Sequence, residues 1–320
     1  MATFDHKKQF RIVQIGCGVV GRAYVSAYQN VGCHVIGIEA NSKLIETYKD
    51  DLEMYNVCDD MSKMKDIDFV MLSICTPLKD DRLDLSYLFS SINNVAVIAK
   101  NNPDVCVIIR STVPPTTTRE YKNRLEQIIS KPVKVLFQPE FLRAVSAIED
   151  AMHPWHIVLG ADNDVDISKL MNLYTKFVKK EQISIMSVEN AELLKIFHNT
   201  YNANKISFTN QCDLLCKAVS AKHNISVNSE TIMATMIKTC EGIINPKYGT
   251  KPGHAFYGIC LPKDSAELAS LERTYGLAVS FFDSIVKVNN EMKKMDQAEV
   301  LNGPHHVTFD KMKEKEHENH

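Results

Sequence analysis

The sequence predicts an α/β fold: a Rossmann-type, doubly wound, mostly parallel sheet, followed by an all-helical domain with a long connecting helix. Three observations predict it. Short apolar runs alternate with helical patterns from residue 10 to residue 188, and that alternation makes a parallel sheet covered by helices on both faces. The first run opens into GCGVVG at 16–21, and the next run ends on an acid, Glu39. From Glu189 onward only helical periodicity remains.

FRIVQI (10–15) reads as the first strand. The helix after the glycines places Ala23, Tyr24, Ala27, Tyr28 and Val31 on one face at i, i+3, i+4 spacing. HVIGIE (34–39) is the second strand. In this context Gly16, Gly18 and Gly21 have distinct tasks. The first permits a tight turn, the second lets backbone approach a pyrophosphate, and the third allows close helix–strand packing. Gly16, Gly18, Val19, Val20 and Gly21 are therefore expected cofactor contacts. Glu39 lies 18 residues past Gly21, where an acid binds ribose hydroxyls and repels a 2′-phosphate, so the expected cofactor is NAD. Lys43 either reaches the same ribose or the phosphates, or is a surface lysine.

DFVMLSIC (68–75) is a strand that stops at Thr76-Pro77, followed by a helix over 85–99. VCVIIR (105–110) runs into Ser111-Thr112-Val113-Pro114-Pro115, and 118–129 is a helix. VKVLFQ (133–138) leads into Pro139-Glu140-Phe141-Leu142-Arg143. Residues 155–161 and 183–188 read as strands, with a helix over 168–177 between them. In such sheets ligands bind beyond the carboxyl ends of the strands. Thr76, Pro77, Ser111, Thr112 and Glu140 stand at those ends and are expected along one cleft, although Thr-Pro and Pro-Pro also punctuate ordinary turns.

Residues 189–219 hold no Pro or Gly and predict one helix of about 45 Å. Lys195, Asn199 and Asn202 form a polar stripe on it, read as a solvated face or a functional one. A helix over 229–239, a glycine-containing loop over 242–259 and helical sequence over 264–292 follow. In the last, Leu268, Leu271, Tyr275, Val279, Phe282 and Val286 form the expected core stripe. The expected domains are 1–188, a helical unit 189–292, and a partly disordered tail 293–320. The stretch Cys260-Leu261-Pro262-Lys263-Asp264 places a thiol, an ammonium and a carboxylate within five residues. A free thiol has a pKa of about 8.5, which a nearby cation lowers. Cys260 is either a small core hydrophobe or a reactive thiol with Lys263 as its cation.

Composition excludes several classes. The net charge is −2 with scattered Lys and Arg, so there is no electrostatic footprint for nucleic acid. No run approaches the roughly 20 apolar residues of a membrane span, and the N-terminus lacks a secretory apolar region. The nine cysteines contain no CxxC pair and predict reduced thiols in a cytoplasmic setting. His305, His306, His317 and His320 lack metal-site spacing, so no metal is expected.

Taken in order, GCGVVG, LSICTP with LDLSYL, STVPP, PEFLR, AELLKIFHN and CLPKD resemble the nucleotide-sugar 6-dehydrogenases, the UDP-glucose and GDP-mannose dehydrogenase family, over about residues 11–292. The resemblance implies NAD-dependent oxidation of a sugar primary alcohol to a carboxylate in two steps. Cys260 is implied as the nucleophile that forms a thiohemiacetal and then a thioester. Lys195 and Asn199 match the residues that face the oxyanion. Asp264 matches an aspartate that organises the lysine and a water. Glu140 matches the base for the hydrolytic water, with Thr112 between it and the nicotinamide, and Lys263 matches a lysine near the cofactor. Substrate contacts are implied at Glu140, Phe141, Leu142, Arg143, Lys195, Asn199, Gly253, Phe256, Tyr257 and Gly258, and a homodimer through the helical domain.

The departures are specific. Ala144 replaces a glutamate after FLR, and Ile244 replaces an arginine sixteen residues before the cysteine. Ala255 and Tyr257 narrow a glycine-rich loop, and His156 replaces an arginine. Nothing after Glu291 resembles the family's third, nucleotide-binding domain, so a short form is expected. Two alternatives stay open: a single-step hydroxyacid dehydrogenase of the 6-phosphogluconate type, and an NAD-binding protein without turnover.

Overall fold

The structure, a computed structural model, describes residues 9–162, 165–246, 248–249, 255–258 and 260–295. The chain divides into two compact units, Met1–Thr200 and Tyr201–His320. In chain order the first unit holds β1 (Arg11–Ile15), α1 (Val19–Asn30), β2 (His34–Glu39), α2 (Ser42–Tyr48), β3 (Glu53–Asn56) and β4 (Phe69–Leu72). A small hairpin, β5 (Leu78–Lys79) and β6 (Arg82–Leu83), precedes α3 (Ser86–Ser90) and α4 (Ile92–Asn101). Then come β7 (Cys106–Ile109), α5 (Thr117–Ile129), β8 (Lys134–Phe137), α6 (Ala147–Met152), β9 (Ile157–Gly160), α7 (Ser168–Tyr174) and β10 (Ile183–Met186). α8 (Val188–His223) starts in this unit and ends in the second.

The main sheet runs β10-β9-β8-β7-β4-β1-β2-β3. Neighbours are parallel except β8 and β9, which meet antiparallel at Phe137 and Gly160. The strand order reverses at β1, which pairs with both β2 and β4. A ligand crevice opens at such a reversal. β4, β7 and β9 are buried at every position, as strands covered on both faces are. Alternate residues of one strand feed two apolar layers. Val13, Val70, Val107 and Ile109 meet Val95, Tyr121 and Leu125 from α4 and α5. Ile12, Met71, Ile108 and Leu136 meet Ala23, Ala27, Ala151 and Leu173 from α1, α6 and α7. The expected face of α1 is buried at Ala23, Tyr24, Ala27 and Tyr28, while Val31 is half-buried at its end.

Several strands end earlier than periodicity predicts. The run 68–75 is a strand only over Phe69–Leu72. Beyond it the Ser111 hydroxyl replaces the ladder, donating to the Ile74 carbonyl at 2.6 Å and accepting from Ile74 N at 2.8 Å. The helix expected over 85–99 breaks at Ser91, whose hydroxyl bonds the Leu88 carbonyl at 2.7 Å and meets Tyr121 Oη at 3.0 Å; such back-bonding competes with the helical pattern. β3, α2 and α6 were not legible, being short and without clear periodicity.

The second unit carries the end of α8, then α9 (Ser229–Thr239), α10 (Glu241–Ile244), α11 (Cys260–Thr274) and α12 (Phe281–Met295). The helical run expected over 264–292 is therefore two helices. Gly276 at φ 64° follows α11, and Leu277 N bonds the Glu272 carbonyl at 3.0 Å, a glycine-closed helix end. The break displaces the expected stripe: Phe282 is buried, whereas Val279 is 60% exposed. The Glu272 carboxylate, 1% exposed, accepts from Phe281 N at 2.7 Å, Phe282 N at 3.1 Å and Gln211 Nε2 at 2.6 Å. It caps α12 from the preceding helix. Among the described residues no helix is long and apolar enough to cross a membrane. The tail beyond 295, with its histidines, lies outside the described residues.

Glu272→Ala leaves these buried donors unpaired, and each such group costs about 1–3 kcal/mol. The expected outcome is a lower denaturant midpoint, with Glu272→Gln falling between the variant and the parent.

Candidate active site

The glycine loop is shaped as its pattern demands. Gly16 has φ 83°, and a Cβ there would lie 2.5 Å from the Ser73 carbonyl oxygen. A Cβ on Gly21 would lie 1.9 Å from the Gly16 carbonyl oxygen, whereas one on Gly18 meets nothing within 4 Å. Gly18 is the N-cap of α1, with no side-chain cap and no acid in the first turn. The free N–H groups at this positive helix end face an open space, which suits a pyrophosphate. Glu39 accepts from Cys17 N at 2.7 Å, Ala40 N at 2.9 Å and Asn41 N at 3.0 Å. A carboxylate has about four acceptor positions, so one remains for a ribose hydroxyl.

Gly16, Gly18, Glu39, Ala40 and Asn41 line a cleft of about 610 Å³ together with Val19, Val20, Thr76, Ser111, Thr112 and Glu140. The polar residues expected at the strand ends thus share one wall. Thr76 Oγ1 donates to the Thr112 carbonyl at 2.8 Å, holding two of them together. The Ser111 hydroxyl is occupied by Ile74 and acts as a stitch. Gly21 lies beneath the loop. Pro77 flanks Thr76 and is not in the lining, and Lys43 is exposed on α2 with its side chain outside the cleft. Asn41 and Leu44 line the wall in its place, because the turn of α2 carries residue 43 to another face. Cys75 also lines the cleft and is exposed. Cys17, by contrast, is buried, and burial pushes its thiol up to about 12. Tyr87 and Arg110 line the cleft as well; Tyr87 lies within LDLSYL, and Arg110 immediately precedes STVPP.

Lys195 is buried, not solvated. Its ammonium lies 2.8 Å from Glu140 Oε1, donates to the Glu140 carbonyl at 2.5 Å and reaches Asn199 Oδ1 at 3.5 Å. The side chains are 4% and 15% exposed. Glu140 Oε2 accepts from Leu142 N at 2.8 Å. Phe141 packs its ring 4.7 Å from that of His198, so the loop after β8 is tied to the start of α8 by charge and by packing. Asn199 and Asn202 are exposed.

Arg143 anchors its own loop. Its backbone N, Nε and Nη2 all donate to the Asp150 carboxylate, at 2.8, 3.0 and 2.7 Å. Its guanidinium also lies 5.0 Å from the Trp155 ring. The side-chain bonds from Arg143 hold the Asp150 carboxyl well below the usual carboxylate range. Ala144 begins the short turn that follows, and Val145 next to it is 97% exposed.

In the second unit Cys260 is exposed at the start of α11. Lys263 and Asp264 pair with each other one turn on, both about two-thirds exposed, so Lys263 takes its partner from Asp264. Asn289, 4% exposed, clamps Phe256: Oδ1 accepts from Phe256 N at 2.7 Å and Nδ2 donates to its carbonyl at 3.0 Å. Periodicity gave no hint of this clamp. Gly258 adopts φ 84° with open space where a Cβ would point. Tyr257 lies under Lys293 at 5.7 Å. Ile244 is 61% exposed on α10. Gly253 lies outside the described residues.

Two outcomes follow from this geometry. Gly18→Ala is expected to keep the parent melting temperature while weakening NAD at least tenfold by calorimetric titration. Gly21→Ala, which drives a Cβ into backbone, is expected to destabilise the fold itself. The Asp150 contribution carries a sign. Its folded pKa is depressed, so the stabilisation is present above the ordinary range of about 3.9 and is lost as pH falls below it. Asp150→Asn is expected to flatten the acid limb of the stability–pH profile, read by denaturant titration.

Comparison with known proteins matches the geometry. Residues 10–178 match the NAD binding domain of the UDP-glucose/GDP-mannose dehydrogenase family, and residues 189–291 match its central domain. UDP-glucose 6-dehydrogenase of Campylobacter jejuni is 34% identical over 224 residues, covering 69% of this chain and 53% of its own length. The Bacillus subtilis UDP-glucose 6-dehydrogenase YwqF is 28% identical over 315 residues, covering 91% and 68%. Several of the curated relatives it matches are spanned over only about half their length. In fold, GDP-mannose dehydrogenase of Pseudomonas aeruginosa superposes with a TM-score of 0.78 at 24% identity, over 89% of this chain and 69% of that one. The chain belongs to the UDP-glucose/GDP-mannose dehydrogenase family.

Proposed function

We propose that this chain carries out the NAD-dependent, two-step oxidation of the primary alcohol of a nucleotide sugar, UDP-glucose-like, to a carboxylate, with Cys260 as nucleophile. The observation that carries the reading is the buried Lys195–Glu140 pair beside a cleft built for a dinucleotide. The glycine loop and the α1 N-terminus hold the pyrophosphate, and Glu39 holds the adenosine ribose. Lys263 is assigned to the cofactor. NAD, when bound, takes a hydride from the alcohol carbon and a second one after Cys260 has added.

Lys195, with Asn199, faces the substrate oxygen as it gains negative charge. A largely buried ammonium acts there in a low dielectric, where one preorganised donor contributes roughly 3 kcal/mol to the barrier. The Cys260 thiolate forms a C–S bond to the aldehyde carbon, and the carbonyl oxygen takes a proton. The second oxidation leaves a thioester on Cys260. Glu140 takes a proton from water, which attacks the thioester carbon and releases the sulfur as thiolate. One alcohol, one water and two NAD give one carboxylate, two NADH and three protons. Thr112 positions the water, Asp264 organises the lysine, and the loops Phe141–Arg143 and 253–258 grip the substrate. In this reading residues 1–188 hold the cofactor and 189–292 carry the catalytic lysine and cysteine. The helical region also forms a homodimer, for which exposed Ile206, Leu214 and Val288 offer apolar surface. The nine free cysteines support a reducing, cytoplasmic compartment.

The test counts NADH formed per UDP-glucose or GDP-mannose consumed, with sedimentation of the same preparation, where a dimer is expected. The expected ratio is two, and Cys260→Ser is expected to slow carboxylate formation at least a hundredfold while leaving NAD affinity unchanged. A ratio of one would sink the thioester route and favour a hydroxyacid-type dehydrogenase. NAD binding with no turnover of any UDP- or GDP-sugar would make the chain a binding protein.

A further inference from the structure

The first unit holds a second cavity, apart from the dinucleotide cleft. It encloses about 290 Å³ beside the connection from β8 to β9. Its walls are apolar, formed by Phe141, Leu142, Ala151, Trp155 and Phe177, and its floor is formed by Tyr24 and Gln138. Those two floor residues are 7% and 2% exposed. The Gln138 amide has a fixed orientation. Its Oε1 accepts from Arg110 Nη2 at 2.7 Å and from Tyr174 Oη, and a guanidinium can only donate. Nε2 is thereby turned away from Arg110 and has no acceptor among the described residues. The Tyr24 hydroxyl likewise has no hydrogen-bond partner among them.

Behind this floor sits Arg110, 1% exposed, with its guanidinium 3.6 Å from the centre of the Tyr24 ring. Nη2 bonds Tyr28 Oη at 2.5 Å and Gln138, while Nε and Nη1 are buried without partners. No carboxylate among the described residues forms an ion pair with it. A buried cation without a countercharge is costly, and an anion at the cavity floor supplies one through the Tyr24 and Gln138 donors.

We propose that this cavity is a binding site for a small aromatic carboxylate, its ring between Phe141, Trp155 and Phe177 and its carboxylate on Tyr24 Oη and Gln138 Nε2. The volume fits a single substituted ring, and the floor offers two buried donors. His153, His156 and His198 at its edge add no negative charge. Asp150, the one carboxylate in the lining, is consumed by Arg143. The cavity shares Phe141 and Leu142 with the loop assigned above to the substrate.

Trp155 is the one tryptophan of the chain, so its fluorescence reports this cavity. Benzoate is the probe, benzyl alcohol the control of matching shape. Benzoate is expected to change the emission saturably, with the same affinity when NAD is saturating. Tyr24→Phe, which keeps the ring over Arg110, is expected to weaken it about fivefold, the equivalent of one hydrogen bond of about 1 kcal/mol. Ala151→Met fills the cavity and is expected to abolish the response. NAD affinity in each variant shows that the fold persists. The assignment is overturned by the absence of a saturable response, by equal affinity for benzyl alcohol, by competition from NAD, or by variants that bind benzoate as the parent does. If Tyr24→Phe or Ala151→Met fails to fold, the comparison of benzoate with benzyl alcohol and with NAD decides alone.

Discussion

A single ammonium decides where the loop after β8 meets α8. Lys195 takes the backbone carbonyl and the carboxylate of Glu140 together, so the loop cannot swing without exposing an unpaired charge. Removing one partner of such a buried pair costs about 3–5 kcal/mol. The loop in turn presents Phe141 and Leu142, and Arg143 locks its far end onto Asp150. Three consecutive side chains that could have projected freely toward a ligand are thus fixed by the protein before any ligand arrives. This preorganisation suits charge stabilisation, since the donor need not reorganise during reaction.

The dinucleotide cleft follows a different rule. Its binding groups are backbone groups, and the side chains around them keep those groups available. Glu39 spends three acceptor positions on Cys17, Ala40 and Asn41, which ties the end of β2 to the glycine loop. Ser111 and Thr76 spend their hydroxyls on Ile74 and Thr112. The wall is rigid because its polar side chains are satisfied internally, and the open space at Gly18 is left for the ligand.

Three departures from the family pattern, at 144, 156 and 244, fall at exposed positions, whereas Ala255 is buried and Tyr257 half-buried. Ile244 projects from α10, and Ala144 precedes the fully exposed Val145. His156 instead bonds Ser184 Oγ at 2.8 Å across the β9–β10 edge. Neither Ala144 nor His156 takes part in the bonds of the Lys195–Glu140 pair.

How much was legible follows from how local each signal is. The sheet, the long helix and the glycine loop were written in the sequence because periodicity and glycine spacing act within a few residues. The NAD preference was readable from Glu39 for the same reason, and motif order carried the family. The sequence could place Lys195 on a helix but not say whether its face was solvated, since burial depends on a loop 55 residues away. It could not see that Asn289 clamps Phe256 or that Glu272 caps α12, because each replaces a backbone bond by a side chain from elsewhere. Nor could it show that Arg110, one residue before a recognised motif, sits buried without a countercharge. Local chemistry was determined by the sequence alone; which polar groups are satisfied, and which are left facing a cavity, was decided only when distant segments packed together.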